Sequence, residues 1–228
     1  MRVRAARAPH IEPEAVIRAA LEILDSEGLE HVTLRRIASK LGVQAPALYW
    51  HFKDKQDIID DMAQAILVEG GLEEIKRPAD AAAWADWMVE TAHVVRKAVL
   101  SHKDGARVVS GASPFRARIL AEAATLTMQV LNDAGFDLLH AALATVTTFD
   151  YVWGYVTAEQ AGEGPESEPT SLRRSGGAST FGSGMMDAFM TEIDILSSAE
   201  KFDWGLRIIV SGLKSALLDS TNNIKTKT

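Results

Sequence analysis

"TLRRIASKLGVQAPALYWHFKDK" (residues 33–55) carries two short apolar stripes separated by a glycine and a proline. Thr33 suits a helix N-cap, and Leu34, Ile37, Ala38 and Leu41 repeat at i, i+3, i+4 and i+7, the apolar stripe of a short helix that Gly42 stops. Only Val43 to Ala45 separate that stop from Pro46, whose missing N–H is tolerated in a helix's first turn. The spacing therefore predicts another short helix over residues 45–52, carrying Leu48, Tyr49 and Phe52. Two short helices joined by a tight Gly-containing turn, behind a supporting helix, make the helix-turn-helix pattern, here at about 33–52, with residues 45–52 as the recognition helix.

Working outward, nearly every segment reads at helical period, and no alternation is long enough for a sheet, so the class is all-α. A first helix is expected over 12–27, with Val16, Ile17, Ala20, Leu21 and Leu24 on one face and Gly28 as its stop. Asp54 reads as the N-cap of a long helix reaching to about residue 76, which Gly70 and Gly71 weaken and Pro78 closes. Beyond it, helices are expected over 81–99, from Phe115 to Gly135, over 137–160, 185–196 and 199–219, with "SHKDGARV" (101–108) as a turn and the tail from Ser220 frayed. Residues 162–184 hold too little apolar content to pack and are expected to form a mobile loop. The chain thus divides into a basic N-terminal arm (1–10), a smaller helical domain holding the helix-turn-helix (11–70) and a larger helical domain (71–220).

The net charge of −7 argues against nucleic acid until it is mapped along the chain. Residues 33–55 hold Arg35, Arg36, Lys40, Lys53 and Lys55 against Asp54 alone, net +4, so an acidic chain carries one basic patch on the helix-turn-helix. With no cysteine, disulfides, thiolate metal sites and cysteine nucleophiles are excluded. The basic start "MRVRAARAPH" is followed by no apolar h-region, which points to the cytoplasm. The apolar run 138–158 approaches membrane length but contains His140, Asp150 and a scatter of threonines, and reads as a helix buried on most sides, with no membrane partner. "SGLK" (211–214) matches the Ser-x-x-Lys nucleophile pattern but has no companion motif, and the histidines are scattered without metal-ligand spacing, so neither a catalytic residue nor a metal or cofactor site is expected.

A helix in the major groove presents its N-terminal residues to base edges. Here these are Gln44, which can pair with adenine, and Ala45, Pro46 and Ala47, which can touch thymine methyls. Tyr49 and His51 can donate to phosphates, Lys55 adds a charge beside the amides that open the next helix, and Arg35, about one turn into the preceding helix, can reach a base or phosphate. Trp50 stays open between DNA contact and the core packing commoner for such residues, as do Arg36, Lys40 and Lys53 between DNA contact and plain solvation. Arg2, Arg4 and Arg7 are as compatible with a disordered arm as with minor-groove contact.

The segment "ALEILDSEGLEHVTLRRIASKLGVQAPALYWHFKDKQDIIDDM", with its "LYWHFKDK" signature, resembles the DNA-binding domain of TetR-type transcriptional repressors over residues 11–70. "VLSHKDGARVVSGASP" (99–114) and "TAEQ" (157–160) are similar to the effector domain of the tetracycline repressor subfamily. The resemblance implies a homodimer on double-stranded operator DNA, with half-sites about 34–36 Å apart. It also implies a switch in which a small-molecule effector moves the helix 54–76 and the DNA-binding domain with it; a 100-fold preference for the non-binding state would couple the sites by about 2.7 kcal/mol. The apolar helices 137–160 and 199–219 are the expected dimer faces.

Trp87, Thr91, Val95, Val109, Ser113, Phe115, Met128, Phe149, Met185, Met186 and Phe189 are candidate effector contacts, although helical stripes of this kind also serve as ordinary core. Where the subfamily holds a drug–magnesium chelate with two histidines and a glutamate, this sequence has Gly71, Val109 and Ala158, and its threonine–arginine pair is Ala112–Ser113. A more apolar or aromatic ligand bound without metal is therefore expected. The alternative is a helical ligand- or protein-binding adaptor that no longer reads DNA, since residues 45–47 offer few polar groups to bases.

Overall fold

A computed structural model describes residues 11–113, 116–162, 192–193 and 195–225, the last seven as backbone only. The arm 1–10, Phe115, Met185, Met186, Phe189, most of the helix expected over 185–196 and, apart from Gly162, the loop 162–184 lie outside the described residues. The described residues contain no strand: the chain is all-α. Its helices are α1 (Pro13–Glu27), α2 (Leu34–Lys40), α3 (Ala45–Leu48), α4 (Lys55–Glu69), α5 (Trp84–Leu100), α6 (Gly105–Gly111), α7 (Arg118–Asp133), α8 (Leu138–Gly162) and α9 (Ser198–Lys225). Two compact units emerge, one of residues 1–75 and 94–123, the other of residues 76–93 and 124–228. Helices α5 and α7 each contribute to both.

In the first unit the stripes read from the sequence are the core. Val16, Ala20 and Leu24 of α1, Ile37 of α2, Leu48 of α3, Phe52, and Ile58, Met62 and Ile66 of α4 are all buried. Truncating one such leucine to alanine costs about 2–5 kcal/mol, so this core fixes the recognition segment's orientation. The second unit is held by aromatic packing and hydroxyls. Trp84 meets Phe136 edge-on at 5.3 Å, and Tyr151 of α8 stacks on Phe202 of α9 at 5.6 Å while its hydroxyl donates to the Phe202 carbonyl at 2.8 Å. Tyr155 donates in the same way to Ser198 O at 2.7 Å. The Tyr151–Phe202 contact needs Gly205, because a Cβ there would lie 2.3 Å from the Tyr151 hydroxyl.

Several boundaries differ from expectation for identifiable reasons. The recognition helix is shorter than 45–52: α3 ends at Leu48, and the chain turns through His51 N and Phe52 N, both donating to Leu48 O at 3.0 Å. Asp54 then leaves the helical region (φ −152°) to cap α4, accepting from Asp57 N at 3.1 Å. α4 stops at Glu69 rather than near 76, because Gly71 takes φ +86°, a left-handed conformation that ends a helix. The segment read as a turn at 101–108 contains the start of α6, which Asp104 opens at φ +55°. After Ser113, whose carbonyl accepts from Ala117 N at 2.9 Å, α7 starts at Arg118 and not at 115. α8 is not buried on most sides: Ala141, Ala144, Thr148, Val152 and Val156 face inward, while Leu138, Leu139, Leu143 and Val146 are exposed. Finally, α9 runs to Lys225 through the stretch expected to fray, since neither glycine nor proline follows Gly212 to interrupt propagation.

Candidate nucleic-acid interface and effector residues

Thr33 Oγ1 accepts from Arg36 N at 3.2 Å and so caps α2. Gln44 occupies the N-cap position of α3 with extended backbone, and Pro46 sits in its first turn. The short helix sorts its residues by face. Leu48 and Phe52 are buried, Ala45 and Ala47 half-buried, and Gln44, Pro46 and His51 exposed. Tyr49 is 56% exposed and Trp50 89%, so both neighbouring aromatics point to solvent and the core reading of Trp50 is ruled out.

The basic patch is less free than its formal charge of +4 suggests. Arg36 Nη2 reaches Glu27 at 2.7 Å, and Lys40 Nζ reaches Glu22 at 2.8 Å, both carboxylates lying on α1. The hydrogen bond from Arg36 is the chief cause holding the Glu27 carboxyl below its usual value. Lys55 Nζ donates to Leu29 O at 3.3 Å. Arg35 and Lys53 are exposed and make no ion pair among the described residues. Arg35, Lys53, Tyr49 and His51 thus present exposed side chains close in sequence to Gln44–Ala47, and Lys55 is exposed beside them.

Sequence reasoning missed a polar cluster behind this surface. Asp57 and Asp60 are buried on α4. Asp57 accepts from Lys53 N at 2.7 Å and pairs with Arg116, while Asp60 Oδ1 accepts from Gln56 Nε2 and Ser113 N, each at 2.8 Å. Nothing in the run "KQDIIDDM" distinguishes these carboxylates from a solvated helix face. At the end of α1, Asp104 Oδ2 accepts from Leu29 N at 2.9 Å, and His102 Nδ1 lies 3.0 Å from Asp25.

Of the expected effector residues, Trp87, Thr91, Met128 and Phe149 belong to the second unit, and Val95, Val109 and Ser113 to the first. Trp87 is nearly buried and its indole N–H donates to Lys76 O at 2.7 Å. Thr91, Met128 and Phe149 are half-buried, and Phe149 meets Trp153 edge-on at 6.3 Å. Val95 and Val109 are buried. Among the described residues no group of three His, Cys, Asp or Glu side chains is placed to hold a metal ion, and no helix is long and apolar enough to cross a membrane.

Comparison with known proteins agrees with this architecture. Residues 16–62 match the family model of bacterial regulatory proteins, tetR family, and residues 77–217 that of the tetracyclin repressor-like C-terminal domain. The chain is 35% identical over 215 residues to the tetracycline repressor protein class C of Escherichia coli, covering 94% of this chain and 95% of that one. Among solved structures, a possible TetR family transcriptional regulator from Streptomyces coelicolor A3(2) superposes with a TM-score of 0.80 at 29% identity, covering 90% of this chain and all of the other. BioQ bound to its double-stranded DNA operator superposes with a TM-score of 0.65 at 26% identity over 90% of this chain and 99% of that chain. The chain therefore belongs to the TetR family, as a ligand-responsive DNA-binding transcriptional regulator and not an enzyme.

Proposed function

We propose that the protein is a homodimeric cytoplasmic repressor, released from a palindromic operator by a small apolar or aromatic molecule. The observation that carries this reading is the face of α3 and the turn after it: Tyr49, Trp50 and His51 are exposed beside Gln44 and Pro46, while Leu48 and Phe52 anchor the backbone below. In this reading Gln44, Ala45, Pro46 and Ala47 address bases, Thr33, Arg35, Tyr49, His51, Lys53 and Lys55 address the backbone, and Trp50 packs against the sugar-phosphate edge. That BioQ, a chain of similar fold, was solved with its double-stranded DNA operator supports DNA as the partner. Competition is the test: protein titrated onto its own upstream DNA should give a twofold footprint below micromolar protein at moderate salt, and loss of any such footprint would return the chain to the adaptor reading.

The twofold partner is supported by the apolar residues left open on α8 and α9, including Leu139, Leu143, Val146, Trp204 and Ile208. A metal-free inducer is supported by Gly71, Val109 and Ala158, none of which carries a ligating atom where tetracycline repressors place their chelate ligands. The inducer acts by binding the state that cannot engage both half-sites better than the state that can. Trp87→Ala should keep operator affinity and lose the inducer response, measured as DNA release on adding a small molecule that native mass spectrometry finds co-purified; unchanged release would remove Trp87 from the effector site.

A further inference from the structure

Asp57 and Asp60, one helical turn apart on α4, are the charged residues buried in the described chain, at 4% and 0% exposure. Burying two like charges side by side is unfavourable unless a cation neutralises them. Arg116 supplies that cation. Its Nη1 donates to Asp57 Oδ1, and its Nε lies 3.5 Å from Asp60 Oδ2, which is the buried side-chain oxygen without a hydrogen bond among the described residues. The same strand of chain contributes Ser113 N to Asp60 and accepts from Gln56 Nε2 at Gly111 O, at 2.9 Å. On the other side, the second oxygen of Asp57 holds Lys53 N, the amide that follows the buried ring of Phe52. Contacts thus run without a break from Gly111, Ser113 and Arg116, through Asp60, Gln56 and Asp57, to the end of the recognition segment.

The members of this chain differ in their access to water. The Arg116 side chain is 52% exposed, whereas the carboxylates it serves are enclosed. If the segment carrying Arg116 moves, the guanidinium is solvated and the two acids are stranded. Their repulsion and desolvation then act on the first turns of α4, directly behind Lys53. We propose that Arg116, bridging Asp57 and Asp60, is a positioning residue that latches the recognition segment in its DNA-binding geometry. The guanidinium meets the two carboxylates through different nitrogens, Nη1 and Nε, a planar fork that the single nitrogen of a lysine does not reproduce.

The proposal rests on the repressor reading, and amide exchange at Lys53 tests it without DNA. In the full-length protein, Arg116→Gln should speed exchange of the Lys53 amide and weaken operator binding, each by about tenfold or more, and Arg116→Lys should recover neither. Removing the stranded charges as well, in Asp57→Asn/Asp60→Asn/Arg116→Gln, should restore operator affinity to within about threefold of wild type. Unchanged exchange and affinity in Arg116→Gln, or a triple variant as weak as Arg116→Gln, overturns the latch. If Arg116→Gln does not fold, the triple variant decides: a folded, operator-binding protein supports the stranded-charge account and an unfolded one contradicts it. A wild-type protein that binds no DNA overturns the repressor reading and leaves the exchange experiment standing.

Discussion

Two surfaces of this molecule expose large apolar side chains, and their surroundings assign them to different partners. Tyr49 and Trp50 are followed in sequence by His51 and Lys53, just after a four-residue helix too short to offer a continuous apolar ridge, with Arg35 exposed on the preceding helix α2. On α8 and α9 the exposed residues recur at helical spacing, Leu139, Leu143 and Val146 on one helix, Trp204 (68% exposed) and Ile208 on the other. The first combination suits a polyanion, where rings pack on sugars and cations meet phosphates. The second suits a like helix, where area and fit matter more than charge. Exposure alone does not separate the two; the charge and length of the element beneath do.

The comparison breaks most visibly if the second surface is charged. Leu143→Glu/Ile208→Glu should weaken self-association by about a thousandfold or more, read as monomer at micromolar concentration in sedimentation, because hot-spot residues dominate such interfaces. Operator binding should fall with it, whereas a dimer that persists would assign the α8 and α9 faces elsewhere. On the first surface, Tyr49→Ala should cost about 10- to 100-fold in operator affinity, or about 1.4–2.7 kcal/mol, with the dimer intact. Its melting temperature should move by no more than about 2 °C, as expected for an exposed position; a collapse in melting temperature would make Tyr49 a structural residue.

Cations sharpen the contrast further. Lys53→Ala and Arg35→Ala should each reduce the salt dependence of operator binding by about one per protomer, as for any lost phosphate contact. Lys40→Ala should leave it nearly unchanged, because that ammonium is already held by Glu22. Equal slopes for all three variants would show that the α1 carboxylates release their partners on DNA.

The smallest effect is an alkaline one in the second unit. Burial, followed by the charges of Tyr155 and Asp203, pushes the Tyr151 phenol up to about 12, while the unfolded chain keeps about 10. Since the folded value is the raised one, the stabilisation is complete below about pH 10 and disappears as pH climbs towards 12. Tyr151→Phe should therefore unfold at a less pH-dependent point in that window, in chemical denaturation monitored by circular dichroism; an unaltered pH profile would mean that the phenol is ionised without consequence for the fold.

Much of the fold was legible because it is local. The stripes of α1, α2 and α4, the Thr33 and Asp54 caps and the Gly42 stop all follow from residues within one or two turns. What escaped was long-range. Asp57 and Asp60 look like solvated acids until Arg116, more than fifty positions away, comes beside them. Arg36 and Lys40 stay open in sequence between DNA contact and plain solvation until α1 presents Glu27 and Glu22. α6 was hidden by "KDG", a turn signal in sequence that here starts a helix through the left-handed Asp104. Trp50 needed only geometry, since adjacent helical positions point about 100° apart and Tyr49 and Leu48 could not both predict its side.

The Tyr49 surface should read twofold DNA only when the α8 and α9 surface joins two copies. Hydroxyl-radical footprinting of the wild-type protein beside Leu143→Glu/Ile208→Glu on the same upstream fragment tests it most directly. Two symmetric protected patches about one helical turn or a small multiple apart, lost in the double variant, are the predicted result. A single unsymmetric patch, unchanged between the two proteins, would contradict it.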